Sequence, residues 1–111
     1  MSHDATATTA GANRGVAARL DLDDAADLER VRHGRLGGLD RLVVRHDRHG
    51  QPILDTADWD FLDDAAPPTV NPSLWRQARL NREHGLYQLA PKIYQVRGYD
   101  ISNLSLVEGD T

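Results

Sequence analysis

The sequence predicts an α+β fold in which helices come first and antiparallel strands last. Helix signals cluster ahead of residue 85: Asn71 caps, Pro72 suits a first helical position, and apolar side chains recur at steps of three to five. Strand signals dominate after it, where Leu86–Leu89, Ile93–Arg97 and Ser102–Glu108 are short apolar-rich runs separated by turn residues. A smaller strand pair is expected earlier, with Asp47-Arg48-His49-Gly50 as the turn between Leu42-Val43-Val44 and Ile53-Leu54.

Taken in order, residues 1–19 read as a disordered tail. They are small and polar, and nothing large and apolar stands among them except Met1 and Val16. No apolar stretch of a signal peptide follows the start, so a cytoplasmic location is expected. Residues 20–68 form a leader. Its helix is expected over Leu20–Gly37, capped by Asp23 or Asp24, carried by Ala25, Leu28, Val31 and Leu36, and stopped by Gly37-Gly38. The hairpin follows, and then an acidic connector from Asp55 to Pro68, anchored by Trp59, Phe61 and Leu62. Residues 69–111 open a second part. Asn71–Gly85 is the clearest helix, with Gly85 as its left-handed C-cap, and the turn Ala90-Pro91-Lys92 joins the first two of three strands. Leu74, Trp75, Leu86, Leu89, Ile93, Val96 and Leu104 are the expected core. Strand alternation lets only one of Leu106 and Val107 join them.

Composition narrows the function. A chain of 111 residues has room for one domain at most, since domains run roughly 100–200 residues. It has no cysteine, which excludes disulfides and thiolate metal sites. No apolar run is long enough for a membrane span, and a net charge of −4 argues against nucleic acid. Twelve of the 13 basic residues are Arg and 14 of the 17 acids are Asp, which reads as compositional bias because no clustered face supports phosphate binding.

The candidate chemistry is thin. His46 and His49 lie in a turn at a spacing that rarely converges on one ion, and His84 suits the end of a helix, where a cation favours the dipole. Asp55, Asp58, Asp60, Asp63 and Asp64 lack the Gly and Glu of a calcium loop. Ser73, Ser102 and Ser105 stand in no nucleophile elbow, and no glycine-rich phosphate loop is present. Read from the residues alone, the chain carries no catalytic residue and no metal ligand set.

One combination is nevertheless specific. Thr69-Val-Asn-Pro-Ser-Leu-Trp-Arg-Gln-Ala-Arg-Leu-Asn81, His84-Gly-Leu-Tyr87, Ile93-Tyr-Gln-Val-Arg-Gly-Tyr-Asp-Ile-Ser-Asn-Leu104 and Val107-Glu-Gly-Asp-Thr111 together resemble the amino-terminal part of the alkyl sulfatases, zinc enzymes of the metallo-β-lactamase superfamily. The likeness is dense over residues 61–111 and looser over 24–60, and residues 1–20 match nothing in it. It implies that 69–111 begins an incomplete metallo-β-lactamase αββα sandwich, in an amino-terminal fragment of a hydrolase of primary alkyl sulfate esters such as dodecyl sulfate.

The resemblance also implies two zinc ions in the full-length family, held by a His-x-His-x-Asp-His motif with later Glu and His residues. None of these is in this chain, which is therefore expected to be inactive alone. Alkyl sulfate is then a substrate only of a full-length enzyme. The family's dimerisation region, needed for its homodimer, is missing here, and no membrane or nucleic-acid partner is implied. By position, Gly98–Asn103 is a loop flanking the family's metal site, so Tyr99 and Asn103 are candidates for lining a substrate entrance; Arg97 either meets the sulfate or pairs with Asp100. The alternative is a small non-catalytic interaction module. In either case Ser102–Glu108 is expected to show an open, partly apolar edge.

Overall fold

The computed structural model describes residues 4–111. Helix α1 (Ala5–Arg19) and helix α2 (Ala26–Arg32) come first. Short strands β1 (Arg35–Gly37), β2 (Val43–Arg45) and β3 (Pro52–Asp55) follow, then a 3-10 stretch (Thr56–Asp63) and helix α3 (Pro72–Asn81). Strands β4 (Gly85–Ala90), β5 (Ile93–Arg97) and β6 (Leu104–Val107) close the chain. All strand pairs are antiparallel, in a four-stranded sheet ordered β1-β4-β5-β6 and a separate β2-β3 hairpin. Helices ahead of an antiparallel sheet are the α+β arrangement expected.

Several elements differ from the sequence expectation. Where the sequence predicts a disordered tail over residues 1–19, α1 occupies Ala5–Arg19; the part of that expectation that falls on residues 1–3 lies outside the described residues. Ala5, Ala7, Ala10, Ala12, Ala17 and Ala18 supply the best intrinsic helix former, and the Asp4 carboxylate accepts from the Thr6 N–H at 3.0 Å. Asn13 Nδ2 donates to the Pro68 carbonyl at 2.9 Å, tying α1 to the segment before α3.

The leader helix is shorter than the expected Leu20–Gly37. It ends at Arg32, because Gly34 takes φ +77° and turns the chain into β1. There Gln88 N–H donates to the Gly34 carbonyl at 2.8 Å, and the backbone passes so close to the Gln88 carbonyl that no Cβ fits. Asp24, one of the two expected caps, accepts from Ala26 N–H at 2.9 Å.

Helix α3 starts as the sequence predicts. Asn71 Oδ1 accepts from the N–H groups of Ser73 (2.9 Å) and Leu74 (3.3 Å), with Pro72 in the first helical position. Its end does not. Arg82 is the C-cap, and Gly85 opens β4 at φ +144°, where a Cβ would collide with the Gly37 carbonyl of the neighbouring strand. Gly85 is therefore there for close strand approach rather than helix capping.

The core is small. Among the described hydrophobic residues only Ala10, Leu62 and Tyr87 are buried, and Tyr87 completely. Leu74, Leu89, Ile93, Leu104, Leu106 and Val107, expected inside or as the inward one of a pair, are exposed, while Trp75, Leu86 and Val96 are half-buried. Of the expected connector anchors, Leu62 is buried and Trp59 half-buried, but Phe61 is exposed and meets Trp75 edge-on at 5.7 Å. The cause is overall shape. The described chain measures 71 × 41 × 19 Å with a radius of gyration of 18.6 Å, against about 13 Å for a closed domain of this length.

Candidate functional site

A cleft of about 1200 Å³ opens between α2, α3 and the β5–β6 loop. One wall is apolar, with Trp59, Leu62, Val70 and Trp75; the other carries Arg97, Tyr99 and Asn103. Bidentate hydrogen bonds from Arg32 Nε and Nη2 to the Glu83 carboxylate, at 3.0 and 2.7 Å, hold α2 against the end of α3. Arg76 adds contacts to Asp27 at 3.1 Å and to the Asp24 carbonyl at 2.9 Å. Hydrogen bonding from Arg32 holds the Glu83 carboxyl below its ordinary range, and Arg76 does the same for Asp27. Arg82 clamps the 3-10 stretch through Asp63 and through the Trp59 carbonyl at 3.2 Å.

Tyr99 and Asn103, the two candidate residues, both line this cleft. The Tyr99 hydroxyl accepts from the Leu39 N–H at 2.8 Å, and its ring lies 5.2 Å from that of His84. His84 Nε2 lies 2.7 Å from the Leu39 carbonyl, and its Nδ1 lies 3.1 Å from the carbonyl of Arg82, the C-cap of α3. Tyr99 and His84 thus share one structural task, pinning the Leu39 backbone to the end of the sheet.

Arg97 does not pair with Asp100. Its guanidinium stacks 3.7 Å above the Tyr87 ring, and neither its Nε nor the Tyr87 hydroxyl has a hydrogen-bond partner among the described residues. The sequence reading missed Tyr87. Its position two residues after Gly85 and opposite Gln95 gave alternation but no hint that this face, rather than that of Leu86, lies under the helices.

The remaining candidates do not converge. His46 and His49 stack at 4.8 Å in the hairpin turn, where His46 Nδ1 accepts from Arg48 N–H at 3.1 Å. Asp55 is engaged by Arg41 at 2.9 and 2.5 Å. Among the described residues no three His, Asp or Glu side chains gather closely enough to hold a metal ion, so the zinc pair implied by the family resemblance does not fit the donors present. No helix among them is long and apolar enough to cross a membrane.

Fold and sequence together match one stretch of known sulfatases. The chain is 42% identical over 106 residues to the alkyl/aryl-sulfatase of Saccharomyces cerevisiae, covering 94% of this chain and 16% of that protein. It is 37% identical to a linear primary-alkylsulfatase of a Pseudomonas species, covering 95% of this chain and again 16% of the relative. The solved structure of the stereoselective inverting sec-alkylsulfatase Pisa1 from Pseudomonas superposes with a TM-score of 0.82 at 40% identity, over 99% of this chain and 17% of that one. No family model matches the chain.

The chain belongs with the alkylsulfatases, and it spans about a sixth of the length of the relatives it matches. The sequence resemblance is borne out and is broader than its motifs suggested. Likeness that was dense only over 61–111 extends to 99% of the chain in the structural match, so residues 1–20, where no match was expected, are nearly all included.

Proposed function

We propose that this chain is a non-catalytic, amino-terminal scaffold segment of an alkylsulfatase, and that its four-stranded sheet opens a metallo-β-lactamase-type sandwich. The observation that carries this reading is near-complete alignment, at 37–42% identity, with proteins of which the segment is only 16%. The metal pair expected for the family would supply polarisation of the sulfate ester and an activated water. The donors for that pair lie outside this segment, which is inactive alone. Primary alkyl sulfates are the proposed substrates of the whole enzyme, although the names of the relatives include alkyl/aryl, secondary and primary types.

Within the whole enzyme, Tyr99 and Asn103 contribute to the substrate entrance. The Tyr99 hydroxyl is already engaged by Leu39, which leaves its ring and the Asn103 amide to face an alkyl chain. The test replaces the matching stretch of the primary-alkylsulfatase of Pseudomonas with this chain and measures sulfate release from dodecyl sulfate. The chimera should turn over substrate and the isolated chain should not. Turnover by the isolated chain, or a folded chimera without activity, overturns the reading. In the active chimera, Tyr99→Ala and Asn103→Ala should each lower kcat/KM with zinc content unchanged. Normal kinetics in both would make the loop scaffold only.

A further inference from the structure

Arg30, Arg82 and Arg97 all line the cleft, and the first two are already engaged. Arg30 pairs with Asp27 at 3.0 Å, and Arg82 is held by Asp63 and by the Trp59 carbonyl. Arg97 differs. It is half-buried, its guanidinium sits 3.7 Å over the Tyr87 ring, and it forms no ion pair with a described residue. Its Nε is buried without a hydrogen-bond partner among the described residues. A guanidinium drawn partly out of water without a counter-ion is costly, and an anion in the cleft would offset that cost. Stacking on Tyr87 meanwhile fixes the side chain, as a planar guanidinium on an aromatic face does.

The acids of the cleft are engaged in the same uneven way. Asp27 is also bound by Arg76 at 3.1 Å, and Glu83 by Arg32 at 2.7 Å. Asp100 alone of the lining acids forms no ion pair with a described residue; its carboxylate accepts from the Ile101 N–H at 2.7 Å. The opposite wall is apolar, with Leu62 buried and Trp59, Val70 and Trp75 half-buried. One anionic head joined to an apolar tail satisfies both walls at once.

We propose that Arg97 binds the headgroup of the substrate and selects its charge: it takes the monoanionic head of an alkyl sulfate while the apolar wall takes the chain, and it discriminates against alkyl phosphates. The inference rests on the reading that this cleft is the substrate entrance of an alkylsulfatase. Selection follows from the count of unpaired charge. A sulfate monoester or a sulfonate carries one negative charge, which Arg97 matches. An alkyl phosphate, with a second pKa of about 6, carries nearly two at about pH 8. Its second charge meets no unpaired arginine among the described lining residues and is repelled by Asp100.

The first test titrates the isolated full chain with decyl sulfonate, decyl phosphate and decanol at about pH 8, each below its aggregation limit, following the fluorescence of Trp59 and Trp75. Sulfonate should bind about tenfold or more tightly than either of the others, the strength of charge-assisted hydrogen bonds to one guanidinium. Arg97→Gln should remove that preference, and Arg97→Lys should keep most of it. A wild-type chain that binds decanol or the phosphate as tightly as the sulfonate, or binds none of them, overturns the proposal whatever the variants do. So does an Arg97→Gln chain, folded by circular dichroism, that keeps the preference.

The second test uses the alkylsulfatase chimera and decyl sulfate. Arg97→Gln should raise KM about tenfold with kcat and zinc content unchanged, the signature of lost substrate binding. An unchanged KM overturns the proposal. A folded wild-type chimera without activity removes the proposed function instead, and the titration of the isolated chain then decides the role of Arg97.

Discussion

Tyr87 offers the sharpest test of the packing, because two substitutions there should move stability in opposite directions. Its side chain is completely buried, its ring lies 3.7 Å beneath the Arg97 guanidinium, and its hydroxyl has no hydrogen-bond partner among the described residues. Tyr87→Ala removes the largest buried side chain and leaves a cavity, a change that costs about 3–5 kcal/mol for aromatic residues in cores. Set against a typical total of about 5–15 kcal/mol, that loss should unfold a chain whose core holds so few side chains.

Tyr87→Phe keeps the ring and its stacking but deletes the unpaired hydroxyl, whose burial without a partner costs about 1–3 kcal/mol. The variant should therefore be as stable as the wild type or more so, with a rise in Tm of about 4–8 °C per kcal/mol recovered. Urea unfolding followed by tryptophan fluorescence at low protein concentration measures both. A Tyr87→Phe chain destabilised by more than about 1 kcal/mol would refute the reasoning, since it would mean that the hydroxyl makes a hydrogen bond of ordinary strength.

Further predictions concern the elements that frame the sheet. Gly85→Ala should separate β1 from β4, because the added Cβ meets the Gly37 carbonyl and φ +144° strains any other residue; loss of amide protection at Leu36 and Leu86 by hydrogen exchange would show it. Asn71→Ala should cost about 0.5–2 kcal/mol by freeing the Ser73 and Leu74 N–H groups, read as a lower urea midpoint. The hairpin should loosen in acid. Hydrogen bonds from Arg41 and then from the Ala57 N–H lower the Asp55 pKa to about 2, so its contribution is present above its ordinary pKa of 3.8 and fades as pH falls toward 2. Exchange at Val43–Arg45 should rise over that range, and Asp55→Asn should abolish the dependence.

Much of this fold was legible because local chemistry decided it. Asn71-Pro72 fixed the start of α3, Gly50 allowed the hairpin turn at φ +64°, and alternation marked the last three strands. Helix α1 was hidden because its alanines confer helix propensity without an apolar stripe, so periodicity had nothing to detect. Strand β1 has only three residues, and their pairing with β4 is a tertiary event that the Leu36 spacing disguised as helix. Gly85 fell where a C-cap would, and only the approach of Gly37 shows its purpose.

The expected core erred for one reason. The expected set drew on both faces of the sheet, Leu86, Val96, Leu104 and Leu106 on one and Ile93 and Val107 on the other, and no single cover buries both. The same limit applied to the site. Tyr99 and Asn103 reach one cleft together, whereas the stacking of Arg97 on Tyr87 depends on which face meets the helices, and alternation alone does not specify that.

The central claim, that this segment is completed by the rest of an alkylsulfatase, is tested most directly by hydrogen exchange at Leu104–Val107 in the isolated chain and in the alkylsulfatase chimera. The amides of β6 that point away from β5 should exchange rapidly in the isolated chain and become protected in the chimera, with β4 amides protected in both. Equal and rapid exchange of those β6 amides in a folded chimera would contradict the account.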